Sequence, residues 1–265
     1  MENGKMIKEK ANHEKLIKDF LDSCKQFHEF FRSLSMPSYN DKTNLYEYSC
    51  SVNQQIEKLE FIISKLLPIL KKGKKLHDQA LKDESYINKI YNYLFKRGEE
   101  LSFFHEDFFI HSRILMDRLA LLSSFLFDIK NKKKLVDSFS GYFKFEKNRQ
   151  MIPIIKEDII KNLPGRYKVL LSSTCWYFKY LKNPRDQLLV HAKDVKHRKI
   201  GGAGFVSGGN SDILDGLKFF QAYPSTIKDN YRFNDVPLLK LLIPKITSFL
   251  REYLNIIKDE TTTPK

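Results

Sequence analysis

The sequence predicts an all-α protein, an up-and-down helical bundle with an N-terminal helical extension and a small β-hairpin late in the chain. Its 11 glycines and 9 prolines among 265 residues are too few for a turn-rich sandwich or barrel. Several long segments also carry apolar residues at the spacing of an amphipathic helix. Hydrophobic residues make up 42% of the chain and aromatic residues 13%, which is enough to fill a core and argues against a disordered main body.

Two helices are predicted near the N-terminus. Residues 12–34 form the first, because their apolar side chains fall on one face. Residues 38–51 hold Pro, Asn, Asp and Ser and predict a loop. A second helix is expected over residues 53–71, with Pro68 as a kink or in its last turn, and the basic run 71–75 as its end.

The strongest helical pattern covers residues 84–129, which are apolar on most sides after Gly98, as in a central bundle helix. Arg113 and Asp117 are four residues apart, so they share a helix face and are expected to pair. Ser112 is among the other polar residues that could point inward, and a buried one needs a hydrogen-bond partner.

The later elements are less regular. Residues 131–150 predict a basic, aromatic connection with partial helix, and short and longer helices follow over 153–162 and 165–182. The Gly-rich run 196–210 predicts a loop or a small β-hairpin. Its glycines match neither dinucleotide nor P-loop spacing, so a nucleotide-binding fold is unsupported. Residues 236–257 predict a last amphipathic helix.

The domain boundaries follow from these elements. We expect an N-terminal helical extension over residues 1–75, a helical bundle over 76–258 and a frayed tail over 259–265. The length suits one large domain, or a domain of about 150 residues with an extension.

The net charge of +14 favours acidic partners such as nucleic acid. The lysine clusters at 71–75 and 132–134 are expected in loops, and neither has the interleaved aromatic residues of a single-strand platform. The charge therefore permits RNA binding without demonstrating it, since scattered lysines often serve only solubility.

The three cysteines, Cys24, Cys50 and Cys175, have no zinc-ligand spacing, and Cys175 is expected in the core. The N-terminus lacks the apolar region of a signal peptide. The most apolar windows, 114–127 and 238–250, are interrupted by charges, so no membrane span is expected. The simplest location is the cytoplasm.

A short capped segment carries the clearest chemistry. Asn183 suits an N-cap and Pro184 the first helical position, which places Arg185 and Asp186 in the first turn. A cation beside free backbone N–H groups suits phosphate, and His191 can move a proton near neutral pH. The alternative is a solvated surface helix, because an Arg followed by a His at this spacing also arises by chance.

These residues resemble the HEPN superfamily, the higher-eukaryote and prokaryote nucleotide-binding helical domains. Phe-Phe-Ile-His-Ser-Arg-Ile-Leu-Met-Asp-Arg-Leu over 108–119, then a helical hairpin and Arg185-Asp186-x4-His191, follow the superfamily's order. Its pattern is Arg, often with a polar neighbour, and His after four to six intervening positions. The resemblance spans residues 84–257.

The resemblance implies a metal-independent ribonuclease, without cofactor, built at a homodimer interface. His191 would act as general base or acid, Arg185 would bind the phosphate, and Asp186 would orient Arg185 or the partner histidine. Arg113 and Asp117 would support the Arg185 helix from behind. The basic residues that follow the histidine are expected to bind RNA: Lys193, Lys196 and Arg198.

The spacing of Arg185 and His191 leaves two arrangements open, of which the resemblance to the HEPN superfamily implies the one with two chains. On an ideal helix the six steps from Arg185 to His191 place the two side chains about 120° apart. Either the helix end unwinds near His191, or each site combines Arg and His from two subunits.

Two other functions stay open from the sequence. The chain could be a non-catalytic HEPN-like dimer that binds RNA, nucleotide or an antitoxin-like protein partner, or a helical scaffold. A metal enzyme has little support: His105, Asp107 and His111 lie close together, but no metal-binding motif is present.

Overall fold

The computed structural model describes most of the chain outside residues 183–240. The described ranges are 2–33, 43–80, 82–127, 136, 138–145, 153–161, 163–182 and 241–262. The predicted β-hairpin at 196–210 therefore lies outside the described residues. Within them the protein is mostly helical, which confirms the predicted all-α class.

Four long helices form the body of the fold. They are α1 (Glu2–Ser33), α2 (Thr43–Ala80), α3 (Ile87–Leu126) and the C-terminal helix, here α6 (Ile243–Thr262). α2 packs along α3, and α1 contacts both α2 and α6, while α6 also reaches α3. Each long helix thus packs against at least two of the others, and their apolar faces meet in one buried core.

The helices α2 and α3 form an antiparallel hairpin. Their contacts run in opposite directions along the two helices: Tyr48 stacks on Phe125, Gln55 meets His111, and Ile69 accepts a hydrogen bond from Tyr93. A short 3-10 turn, Glu84–Tyr86, joins them. The side chain of Asp83 caps this turn: its Oδ1 accepts a hydrogen bond from the backbone N–H of Ser85. This hydrogen bond holds the pKa of Asp83 below its usual value.

α2 is longer than its sequence predicts. The loop expected over 38–51 is wrong for residues 43–51, which are helical, and the helix continues through the basic run 71–75 to Ala80. Pro68 lies inside the helix rather than at its end. The cause is tertiary: α3 covers this flank along its length, and packing outweighs local helix-breaking residues.

The connection after α3 contains a small sheet. A 3-10 turn, Phe139–Tyr142, leads into β1 (Phe143–Phe145), which pairs antiparallel with β2 (Pro153–Ile155). The connection expected over 131–150 is helical in the 3-10 turn and extended in β1, whereas the helix start expected at 153 is wrong because Pro153–Ile155 is a strand. The alternating Phe-Lys-Phe of β1 buries Phe143, as the period of a strand requires.

The segment after β2 breaks up the predicted helix 165–182. α4 (Glu157–Ile160) and α5 (Gly165–Ser173) are followed by a turn and a π-helical turn, Phe178–Lys182. α5 ends at its C-cap Thr174, whose backbone N–H bonds the carbonyl of Leu171, three residues back, at 3.0 Å. Cys175 sits in this turn and is only partly buried, so its expected place in the core is wrong.

The core includes residues from α1 through α6. α2 crosses the boundary drawn after residue 75, and α1 and α2 share the buried core with α3 and α6. The division into domains stays a prediction. α6 reaches Thr262, so the frayed tail expected over 259–265 is helical in its first part.

Candidate functional site

The predicted catalytic residues Arg185, Asp186 and His191 lie outside the described residues. So do the predicted RNA-binding residues, which are Lys193, Lys196 and Arg198. The part of the predicted site that the structure describes is its support on α3 and the π-helical turn that ends at Lys182.

Arg113 and Asp117 form the predicted ion pair on α3. A guanidinium nitrogen of Arg113 donates to Oδ1 of Asp117 at 2.6 Å, which confirms that the two residues pair. The Arg113 side chain is 10% exposed and that of Asp117 is 26% exposed. A charge buried to this degree needs a close partner, and Asp117 supplies one.

Asp117 also holds the chain after α3. The same Oδ1 accepts the backbone N–H of Phe139 at 2.8 Å, at the start of the 3-10 turn. One carboxylate oxygen therefore fixes both the guanidinium of Arg113 and the entry of the chain into the small sheet.

Tyr177 is the third member of this cluster. Its ring lies 4.9 Å from the guanidinium carbon of Arg113, within the range of a cation–π contact. The ring is held edge-on against Phe139 at 4.8 Å. Tyr177 is fully buried and belongs to the residues that lead into the π-helical turn.

The sequence did not single out Tyr177. The predicted helix 165–182 continues straight through it, so its side chain could not be assigned to Arg113. The break after Ser173 redirects the chain, and only the structure shows which aromatic residue faces α3.

Among the residues that the structure describes, three buried polar atoms in or beside this cluster have no hydrogen-bond partner. They are Oγ of Ser112, Nε of Arg113 and the hydroxyl of Tyr177. Such an atom costs about 1–3 kcal/mol when nothing compensates for its lost hydration. We name Arg113, Asp117 and Tyr177, together with the sequence neighbour Ser112, the arginine cluster.

A second polar cluster on α3 is fully partnered. Its members are Ser123, Tyr142, Tyr167 and Tyr253, which we name the hydroxyl cluster. Ser123 lies 2.9 Å from the hydroxyls of both Tyr167 and Tyr253, and the carbonyls of Leu119 and Ala120 accept the remaining bonds. Burial raises the pKa of Tyr167 to about 12 and those of Tyr142 and Tyr253 well above their usual value. Ordinary bases cannot remove these protons, so the cluster suits a structural role.

His28 and His111 form hydrogen bonds between helices of the fold. Nδ1 of His28 lies 2.5 Å from Asn53 and its Nε2 lies 3.0 Å from Glu60, between α1 and α2. Nδ1 of His111 lies 2.9 Å from Oε1 of Gln55. Burial lowers the pKa of His111, and the nearby charge of Lys58 lowers it further. The carboxylate of Asp107 opposes this shift only in part. Within the described ranges, no three His, Cys, Asp or Glu residues are grouped to hold a metal ion.

A groove of about 550 Å³ lies between α1, α5 and α6. Trp176, Leu170 and Phe249 form apolar walls, and Arg251 and Lys245 stand at its polar side. Arg251 is bound by Asp19 at 3.4 Å and by Ser23 at 2.9 Å, so the groove's guanidinium already has partners within the protein.

No protein family, curated protein or solved structure matches this chain. Among the residues that the structure describes, no helix has the long apolar run that crossing a bilayer requires.

Proposed function

We propose that this chain is a HEPN-like, metal-independent endoribonuclease of the toxin or defence type that acts as a homodimer. One observation carries the proposal. The buried Arg113–Asp117 pair packs against Tyr177, and the chain reaches the Arg185-to-His191 segment only a few residues later. The net charge of +14 supports a polyanionic substrate.

RNA supplies its own nucleophile, the 2′-hydroxyl, so the protein needs no reactive Ser or Cys. His191 accepts the proton of that hydroxyl or gives a proton to the departing oxygen. Arg185 binds the phosphate and stabilises the charge that accumulates on its oxygens. Asp186 orients Arg185 or the partner histidine, and the basic residues Lys193, Lys196 and Arg198 hold the RNA.

The arginine cluster has a supporting role in this proposal. Arg113 and Asp117 act through the Arg185 helix and do not touch the substrate. Nε of Arg113 and the hydroxyl of Tyr177 have no hydrogen-bond partner among the described residues, and in this proposal the Arg185 helix supplies one.

The first test is cleavage of labelled single-stranded RNA in EDTA. We expect wild-type protein to cut the RNA, His191→Ala to lose cleavage, and His13→Ala, a change of the same type near the start of α1, to keep it. Binding without cleavage would overturn the proposed ribonuclease activity and favour the non-catalytic dimer. If the protein neither binds nor cuts RNA, the remaining alternative is a helical scaffold.

A mixing experiment tests whether the site combines two subunits. Arg185→Ala and His191→Ala are each expected to be inactive alone. Random exchange makes half of the dimers mixed, and each mixed dimer holds one intact site, so activity should return to about a quarter of the wild-type value. If the mixture stays inactive although the subunits exchange, the shared site is wrong.

A further inference from the structure

One face of α2 carries three lysines at intervals of seven residues. Lys58, Lys65 and Lys72 fall on a single stripe, because seven residues are close to two full helical turns. All three are exposed. Within the part of the chain that the structure describes, none of them forms an ion pair with a carboxylate.

The stripe borders α3. The ammonium of Lys72 lies 5.0 Å from the centre of the Tyr93 ring, and the charge of Lys58 acts on His111. The sequence shows no aromatic residue among the lysines at 71–75, and the neighbouring helix supplies one. The lysines and the aromatic residues thus belong to one surface of the hairpin.

Three exposed phenyl rings lie on the described part of this hairpin: Phe61, Phe95 and Phe103. Phe61 is 57% exposed, shares the lysine face of α2, and has the ammonium of Lys65 at 5.1 Å from its ring centre. Phe103 on α3 is 59% exposed. The contacts Gln55–His111 and Lys72–Tyr93 set the register of the hairpin, and they bring Phe103 to about the same height as Phe61.

The end of the hairpin nearest its turn is positively charged. Residues 58–97 contain ten Lys or Arg against four Asp or Glu, whereas the whole hairpin, residues 43–126, contains 12 Lys or Arg against 11 Asp or Glu. Of the acidic residues, Glu60 is bound to His28 and Asp83 caps its turn. The field of this surface therefore favours a polyanion.

We propose that Lys58, Phe61, Lys65, Lys72 and Phe103 form a binding surface for single-stranded RNA, here named the lysine stripe. Lysines that neutralise phosphates and exposed rings that stack on unpaired bases are what such binding needs. A membrane fits less well, because the exposed phenyls alternate with lysines and form no continuous apolar face. The inference rests on the proposed function and names the surface that holds its substrate.

The test measures binding of a short fluorescent oligouridylate in the His191→Ala background, which cannot cut the probe. Lys58→Gln, Lys65→Gln and Lys72→Gln together should weaken binding about tenfold or more. The plot of log affinity against log salt should also become shallower by about 2, because three phosphate contacts are lost and each contributes about 0.7 to the slope. The matched control, Lys15→Gln with Lys18→Gln and Lys161→Gln, removes the same charge elsewhere and should keep nearly wild-type affinity.

A second variant tests whether the exposed phenyl rings stack on RNA bases. Phe61→Ala with Phe103→Ala should weaken single-strand binding about tenfold while leaving the salt slope and the helical content unchanged. Val169→Ala, at another exposed apolar residue, is the control and should bind normally.

Three results would overturn the inference. The stripe variant could bind no worse than its control, or duplex RNA could bind as tightly as the single strand with no effect of the phenyl changes. Alternatively, phosphatidylserine vesicles could lose binding in the stripe variant while RNA binding stays intact. The proposed ribonuclease fails separately, because its test is cleavage by the wild-type chain.

Discussion

The two polar clusters beside α3 differ in whether their buried polar atoms have hydrogen-bond partners within the fold. The hydroxyl cluster around Ser123 satisfies its buried hydroxyls within the fold. The arginine cluster leaves three buried polar atoms without a hydrogen-bond partner among the described residues. Both clusters include residues of α3 and both are largely buried, so burial alone does not distinguish them. A fully partnered network stabilises a fold, whereas a buried polar atom without a partner carries an uncompensated desolvation cost.

The largest effect is expected from a variant that breaks the arginine cluster. Asp117→Leu leaves the Arg113 charge without its partner and the N–H of Phe139 without its acceptor. The free energy of unfolding, measured with urea, should fall by about 3 kcal/mol.

The double variant Arg113→Met with Asp117→Leu is the control for that loss. It removes both charges, so most of the lost stability should return. If Asp117→Leu alone is as stable as wild type, Arg113 does not depend on this carboxylate.

Two serines on α3 give a matched test of the comparison. Ser123→Ala removes the centre of the hydroxyl cluster and should cost about 2 kcal/mol, because buried tyrosine hydroxyls lose a partner. Ser112→Ala removes a hydroxyl that has no partner and should change stability by less than about 0.5 kcal/mol. Urea unfolding of both variants measures the difference, and equal losses would contradict the contrast between the clusters.

The hydroxyl cluster also predicts a loss of stability in alkali. Tyrosines ionise near pH 10 in the unfolded chain, but the buried Tyr167 keeps its proton to about 12. The folded state then binds more protons, so its stability is intact below about pH 10 and falls as pH rises toward 12. Each such tyrosine contributes up to about 1.4 kcal/mol per pH unit.

Urea unfolding at a series of pH values would show this fall directly. Tyr253→Phe removes one of the raised groups and should make the dependence on pH shallower. A free energy of unfolding that stays constant between pH 10 and 12 would contradict the role of burial.

The sequence predicted what depends on local spacing. Arg113 and Asp117 are four residues apart on a strongly periodic helix, which is sufficient to predict their pairing. The helical class followed from the same periodicity. Tyr177, which contacts Arg113, could not be found this way, because α5 ends at Ser173 and the chain changes direction before Tyr177.

The failures share a cause in tertiary contacts. Residues 43–51 and 71–80 contain helix-disfavouring residues, but both packed against α3 and stayed helical. β1 has only three residues, and its pairing with β2 depends on a partner ten residues away that local pattern does not identify. The lysine stripe was missed because its aromatic residues lie on another helix.

A single oxygen atom joins the two regions compared above. Oδ1 of Asp117 binds Arg113 on one side and the backbone of Phe139 on the other, and the ring of Phe139 touches both Tyr177 and Tyr142. Changes in the two clusters are therefore energetically linked, and double-mutant cycles between Arg113 and Tyr142 should show a non-zero interaction energy. A substitution in the arginine cluster should therefore also change the rigidity of the hydroxyl cluster, through Phe139.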